Sequence, residues 1–118
     1  MKYLALIYGD PAAGPQYGTD EFGAMMAGYE AASATYASEG AFVAGEALQG
    51  VETATSVRIR GDKVTISDGP FAETKEHLGG FYLLECDDLD TAIRYAKLIP
   101  SAKYGTVEVR PVMTFDGE

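Results

Sequence analysis

The chain has no tryptophan, one cysteine and one histidine, and only 9 basic residues against 18 acidic ones. A single cysteine, Cys86, excludes an intrachain disulfide, redox CxxC pairs and cysteine-rich zinc sites, and it suits a reducing cytoplasm. Closing the apolar run Phe81-Tyr82-Leu83-Leu84-Glu85-Cys86, the thiol reads as a small buried hydrophobe, with a catalytic nucleophile the lesser alternative. One imidazole, His77, and no clustered carboxylate spacing leave a transition-metal site without ligands, so no metal is expected. Gly79-Gly80 has neither the GxGxxG nor the P-loop spacing, and no nucleotide or other cofactor is expected. A formal net charge of -9, with bases scattered from Lys2 to Arg110, opposes direct binding to nucleic acid or to anionic lipid surfaces. No stretch approaches the roughly 20 apolar residues that cross a bilayer. The opening run of residues 1–8 is broken at Gly9-Asp10-Pro11 and reads as a first strand, not as a signal sequence. The expectation is a cytoplasmic protein, neither exported by that route nor in the membrane.

What is present fits one globular domain over residues 1–118, with 47% hydrophobic and 23% charged positions. After the first strand, residues 9–18 hold three glycines and two prolines, a loop composition that either joins elements or covers a pocket. Thr19 can cap a helix whose first turn holds Asp20 and Glu21. Phe22, Met25, Met26, Tyr29, Ser33 and Tyr36 draw its apolar face, read as core, and the helix ends near Gly40. Residues 41–48 alternate as a second strand in which Glu46 is the odd charge. Residues 55–60 and 63–67 flank Gly61-Asp62 as a hairpin. The run Phe81 to Cys86 follows Gly79-Gly80 as a strand apolar enough to be buried on both faces. Asp87 or Asp88 can cap a second helix with the stripe Leu89, Ala92, Ile93, Ala96 and Ile99, stopped by Pro100. Residues 107–112 form the last strand, with Pro111 at an edge.

Treating the hairpin as an insertion turns this order into a ferredoxin-like split βαβ plan, an α+β fold with two helices on one sheet face. The other face then lacks a layer, and a homodimer burying face against face supplies it.

Several residues could carry chemistry. Gly69-Pro70 after a strand forces a turn that holds the Asp68 carboxylate at the strand end, as a ligand group or as the acceptor of an Asx-type turn. Glu73, Lys75 and Glu76 place two acids and a base within four residues, as a tuned site for an anion or as a solvated, self-paired cluster. Glu46 and Arg110, from separate strands, can meet as an ion pair, and Arg110 could grip a carboxylate through its guanidinium fork.

The stretch Asp68-Gly69-Pro70-Phe71-Ala72-Glu73-Thr74-Lys75-Glu76-His77-Leu78-Gly79-Gly80-Phe81-Tyr82, together with residues 3–8, 43–48 and 107–111, resembles the DGPF-motif branch of the YCII-related family. The resemblance covers almost the whole chain. It implies a dimeric ferredoxin-like α+β barrel but no single activity. Some relatives act on chlorinated aromatic breakdown products and use a His and Asp pair for proton transfer. Other DGPF proteins are encoded beside, or fused to, extracytoplasmic-function sigma factors. Here His77 lies inside the motif and not in the first half, where that pair's histidine belongs, so the pair does not carry over. Two functions are then expected. One is a domain binding a small anionic molecule or a regulatory partner such as a sigma factor, with Asp68, Glu73, Lys75, Arg110 and Tyr8 as the binding set. The other is a cofactor-free lyase, isomerase or dehalogenase in which Asp68 or Glu46 is the general base. A structural reading stands beside them, in which Phe71 and Phe81 close the dimer.

Overall fold

A computed structural model describes residues 1–72 and 74–115. Four strands, β1 (Lys2–Gly9), β2 (Phe42–Ala47), β5 (His77–Glu85) and β6 (Thr106–Pro111), form an antiparallel sheet in the order β2-β5-β1-β6. Helices α1 (Asp20–Ser38) and α2 (Leu89–Ala96) connect them. This is the ferredoxin-like α+β arrangement. Strands β3 (Thr55–Arg60) and β4 (Lys63–Asp68) pair only with each other, as a separate two-stranded ribbon inserted between β2 and β5.

Local chemistry sets the boundaries. Thr19 Oγ1 accepts the Phe22 backbone N–H at 3.1 Å and starts α1. Asp88 Oδ1 accepts the Thr91 N–H at 2.8 Å and starts α2, and that bond, more than any other contact, holds the Asp88 carboxyl below its ordinary value. Strand β5 begins at His77, four residues before the apolar run that marks it in the sequence. Pro111 ends β6 on the sheet edge, where its missing N–H costs no ladder bond.

The core lies between the helices and one sheet face. Register puts Tyr3 opposite Leu84 and Ala5 opposite Tyr82, so alternation sends Tyr3, Ala5, Ile7, Tyr82 and Leu84 to the helix side. They meet Ala32 and Tyr36 of α1, Ala92 and Tyr95 of α2, and Ile99. Tyr36 is completely buried, packs edge-to-face on Tyr82 and Tyr95 at 5.1 and 5.3 Å, and donates its hydroxyl to the Tyr95 carbonyl at 2.6 Å. Burial pushes its pKa up, which fixes it as a donor. Cys86 is buried in the same cluster, and burial likewise raises its thiol.

Two expected stripes are redrawn. In α2 the buried residues are Ala92, Tyr95 and Ala96, while Leu89 and Ile93 are exposed; Ile99, past the helix end, is buried against Ala5 and Ile7. In α1 only Ala32 and Tyr36 are buried, and Met26 is exposed. The outer sheet face carries Leu4, Leu6, Phe81 and Leu83, half-buried in one chain. Strand β5 is therefore covered on one face, not two.

Candidate functional site

At one end of the sheet, the last residues of β1 and β2 and the first of β5, together with Met25 to Ala37 of α1, line a cavity of about 780 Å³. Ile7, Met25, Leu48, Val51 and Leu78 make most of its wall apolar. This size and character match ligand pockets generally. The loop after β1 contributes Asp10, Pro11, Gly14 and Pro15 to the rim, the covering role open to it from composition. It is held in shape internally: Asp10 Oδ1 accepts the Ala12 N–H at 2.9 Å, and Gln16 donates its side-chain amide to the Gly14 carbonyl at 3.0 Å.

Two hydroxyl pairs stand out among the polar groups of the wall, which also include Asp10, Glu46, Gln49 and His77. Ser33 and Tyr82 hydroxyls meet at 3.0 Å, bridging α1 to β5. Tyr29 meets Ser101 at 2.5 Å, bridging α1 to the turn that precedes β6. Partial burial raises the Tyr29 pKa, and the Ser101 bond offsets part of that rise, so the phenol stays neutral. Each pair keeps hydroxyl capacity for a bound molecule. Tyr82 fits because position 45 is glycine: a Cβ there would sit 2.8 Å from the Tyr82 ring.

His77 enters this wall through a break in alternation. Ile7 faces Gly80 but Tyr8 faces Leu78, so β5 carries one residue more than β1, and Gly79 is a β-bulge. The bulge resets which side each residue faces. His77, opposite Gly9, falls on the helix side with Ile7 and Tyr82 and lines the cavity, where unbroken alternation would put it outside with Phe81 and Leu83. The adjacent Gly80 lets β2 come close, since a Cβ would lie 2.8 Å from the Glu46 carbonyl oxygen.

The residues expected from sequence scatter around this site. Tyr8 lines the cavity. Glu46 belongs to its wall, but its side chain shares the outer sheet face with Phe81, opposite which it pairs. Asp68 ends β4 on the ribbon, exposed and outside the cavity lining. Its turn is held by the Gly69 N–H on the Ala54 carbonyl at 2.7 Å and by Ser56 Oγ on the Gly69 carbonyl at 2.8 Å, with Gly69 at φ 91. Among the described residues the Asp68 carboxylate accepts no hydrogen bond, so the backbone and Ser56, not an Asx bond, make the turn. Lys75 is exposed and outside the lining. Glu73 lies outside the described residues. Arg110 is on β6 and Glu46 on β2, opposite edges of the sheet, three strand spacings or about 14 Å apart. The two do not pair within a chain; Arg110 Nε instead approaches Glu108 at 3.5 Å, an exposed contact of little energetic weight. Among the lining residues there is no lysine or arginine.

Met25 and Ser33, expected as core, line the cavity, and Tyr29 does so while also packing against the core around Ile99. The available signal was Ser33, a hydroxyl within an apolar stripe, which asks for a buried polar partner. Among the described residues no group of three metal-ligating side chains gathers, and no helix is long and apolar enough to cross a membrane.

A four-stranded ferredoxin-like sheet with an inserted ribbon and an apolar end cavity defines a small α+β domain. The chain belongs to the YCII-related family, whose domain profile matches residues 1–116. A relative from Rhizobium meliloti (strain 1021), an uncharacterised protein, is 32% identical over 117 residues, covering 98% of this chain and 94% of its own length.

Proposed function

We propose that the protein is a small-molecule-binding domain whose ligand has a mainly apolar body and a polar group directed at the Ser33–Tyr82 pair and His77. The observation that carries this reading is the cavity of about 780 Å³, largely apolar, with two hydroxyl pairs, the His77 imidazole and the carboxylates Asp10 and Glu46 among its lining residues. An anionic group on the ligand would have to lie beside His77 and clear of the lining carboxylates Asp10 and Glu46. The DGPF resemblance adds a regulatory protein, such as an extracytoplasmic-function sigma factor, as a candidate reader of the bound state. The chain acts as a homodimer in this reading, because Leu4, Leu6, Phe81 and Leu83 leave an apolar sheet face without a second layer.

A thermal-shift screen of small aromatic and aliphatic acids, alcohols and amides tests it. A hit should lose its effect in Met25→Trp, which fills the cavity from α1. A ligand indifferent to that substitution binds elsewhere and contradicts the proposal.

Glu46 in the wall supports a second reading, a cofactor-free lyase, isomerase or dehalogenase with a carboxylate base. Turnover of an identified substrate that falls in Glu46→Gln while binding persists would favour it. Unchanged turnover in both Glu46→Gln and Asp68→Asn would remove it.

A further inference from the structure

Glycine gathers at the end of the sheet where His77 enters the cavity. Pairing sets Gly9 of β1 directly opposite His77 of β5, and Thr106 faces Tyr8, which brings Gly105 alongside Gly9. Gly79 lies two residues along β5 from the imidazole. All four residues line the cavity. The row Gly105, Gly9 and His77 crosses two strand spacings, about 10 Å, and the imidazole is its one side chain.

The fold does not ask the same of each glycine. A Cβ at Gly105 would run into the Tyr8 carbonyl oxygen, so backbone packing fixes that position. Gly45 and Gly80 are likewise required by the Tyr82 ring and the Glu46 carbonyl oxygen. At Gly9 nothing lies within 4 Å of a Cβ, and at Gly79 the one neighbour is the Ile7 carbonyl oxygen at 3.8 Å, an ordinary contact. Neither residue has a positive φ, so the bulge at Gly79 is not the kind that needs glycine. Glycine weakens a strand through backbone entropy and the missing side chain, and it marks places where a ligand comes close to the backbone. At Gly9 and Gly79 neither packing nor backbone conformation offsets that loss, and both open onto the cavity.

We propose that Gly9 and Gly79 are specificity-determining positions of the cavity. They keep a strip of bare backbone beside His77, and the apolar body of the ligand lies against that strip while its polar group meets the imidazole. The ligand fills the volume that side chains at positions 9 and 79 would take. A side chain at either position therefore narrows the site without disturbing the fold, so strand stability is traded for space. This inference rests on the small-molecule reading above.

Fluorescence titration with Nile red, a neutral apolar probe, tests it on the parent chain, Met25→Trp, Gly9→Val and Gly79→Ala, with melting temperatures measured beside it. The parent is expected to bind Nile red and Met25→Trp to lose it. Gly9→Val and Gly79→Ala are each expected to weaken binding on the order of tenfold, with melting temperatures equal to or above that of the parent. Unchanged affinity in either glycine variant overturns the proposal and leaves the cavity reading standing. A lower melting temperature in either makes glycine a requirement of the fold and overturns it as well. Gly23 of α1 is equally unobstructed and lies outside the lining, so Gly23→Ala should raise the melting temperature and leave affinity unchanged. A matched loss of affinity there would overturn the special place given to positions 9 and 79. A parent that does not bind the probe, or a Met25→Trp chain that binds it equally, contradicts the cavity reading and the proposal with it.

Discussion

The two ends of the stretch from Asp68 to Tyr82 serve different parts of the molecule. Its first residues close a solvent-exposed ribbon, where Gly69 takes φ 91 and Phe71 is 81% exposed. Its last residues, His77 to Tyr82, bulge, approach β2 closely and build the wall of the cavity. One continuous motif therefore couples two devices, a turn that shapes the ribbon and a break in pairing that aims an imidazole. The acid that opens the motif is the residue most easily taken for chemistry, yet the cavity gathers around the glycine pair and the histidine.

Substitutions in each part separate these roles. The largest effect belongs to the core beside the cavity: Leu84, 1% exposed, packs with residues of both helices and the sheet. Leu84→Ala should cost about 2–5 kcal/mol in urea unfolding. A loss below ~1 kcal/mol would mean that the helix-side core tolerates collapse and does not hold the cavity open.

Gly69→Ala should cost less, on the order of 1–2 kcal/mol, because a Cβ there finds open space and only the left-handed backbone is strained. Ligand affinity at the cavity should be unchanged when measured by calorimetry. A matched fall in affinity would tie the ribbon turn to the site.

The smallest effect is expected from Asp68→Asn, within ~0.5 kcal/mol in stability, since the side chain is exposed and the turn is held by its neighbours. Calorimetry on the same ligand should find no change either. A large loss of binding would restore Asp68 as a site residue.

Much of the fold could be read from local signals. Thr19 and Asp88 announce the helix starts, Gly61-Asp62 the hairpin and Pro111 an edge. The stripe of α2 is right at Ala92, Ala96 and Ile99, which are buried, and wrong at Leu89 and Ile93, which are exposed while Tyr95 takes their place in the core. The Glu46–Arg110 pairing failed on topology, and the split βαβ plan itself already separates the second and last strands to opposite edges.

The site was less legible than the fold. His77 enters the cavity only through the extra residue at Gly79, and a bulge is invisible to a period-two reading until the partner strand is known. Tyr29, Ser33, Tyr82 and Ser101 come from distant parts of the chain and become a polar patch only when α1 lies over β5 and the turn before β6.

The central claim is that the second half of the motif, not its opening acid, forms the binding site. Amide chemical-shift mapping with a ligand found by thermal shift tests it most directly. The account predicts perturbations centred on Tyr29, Ser33, His77, Gly79 and Tyr82. Perturbations confined to residues 68–71 or to Arg110 would contradict it.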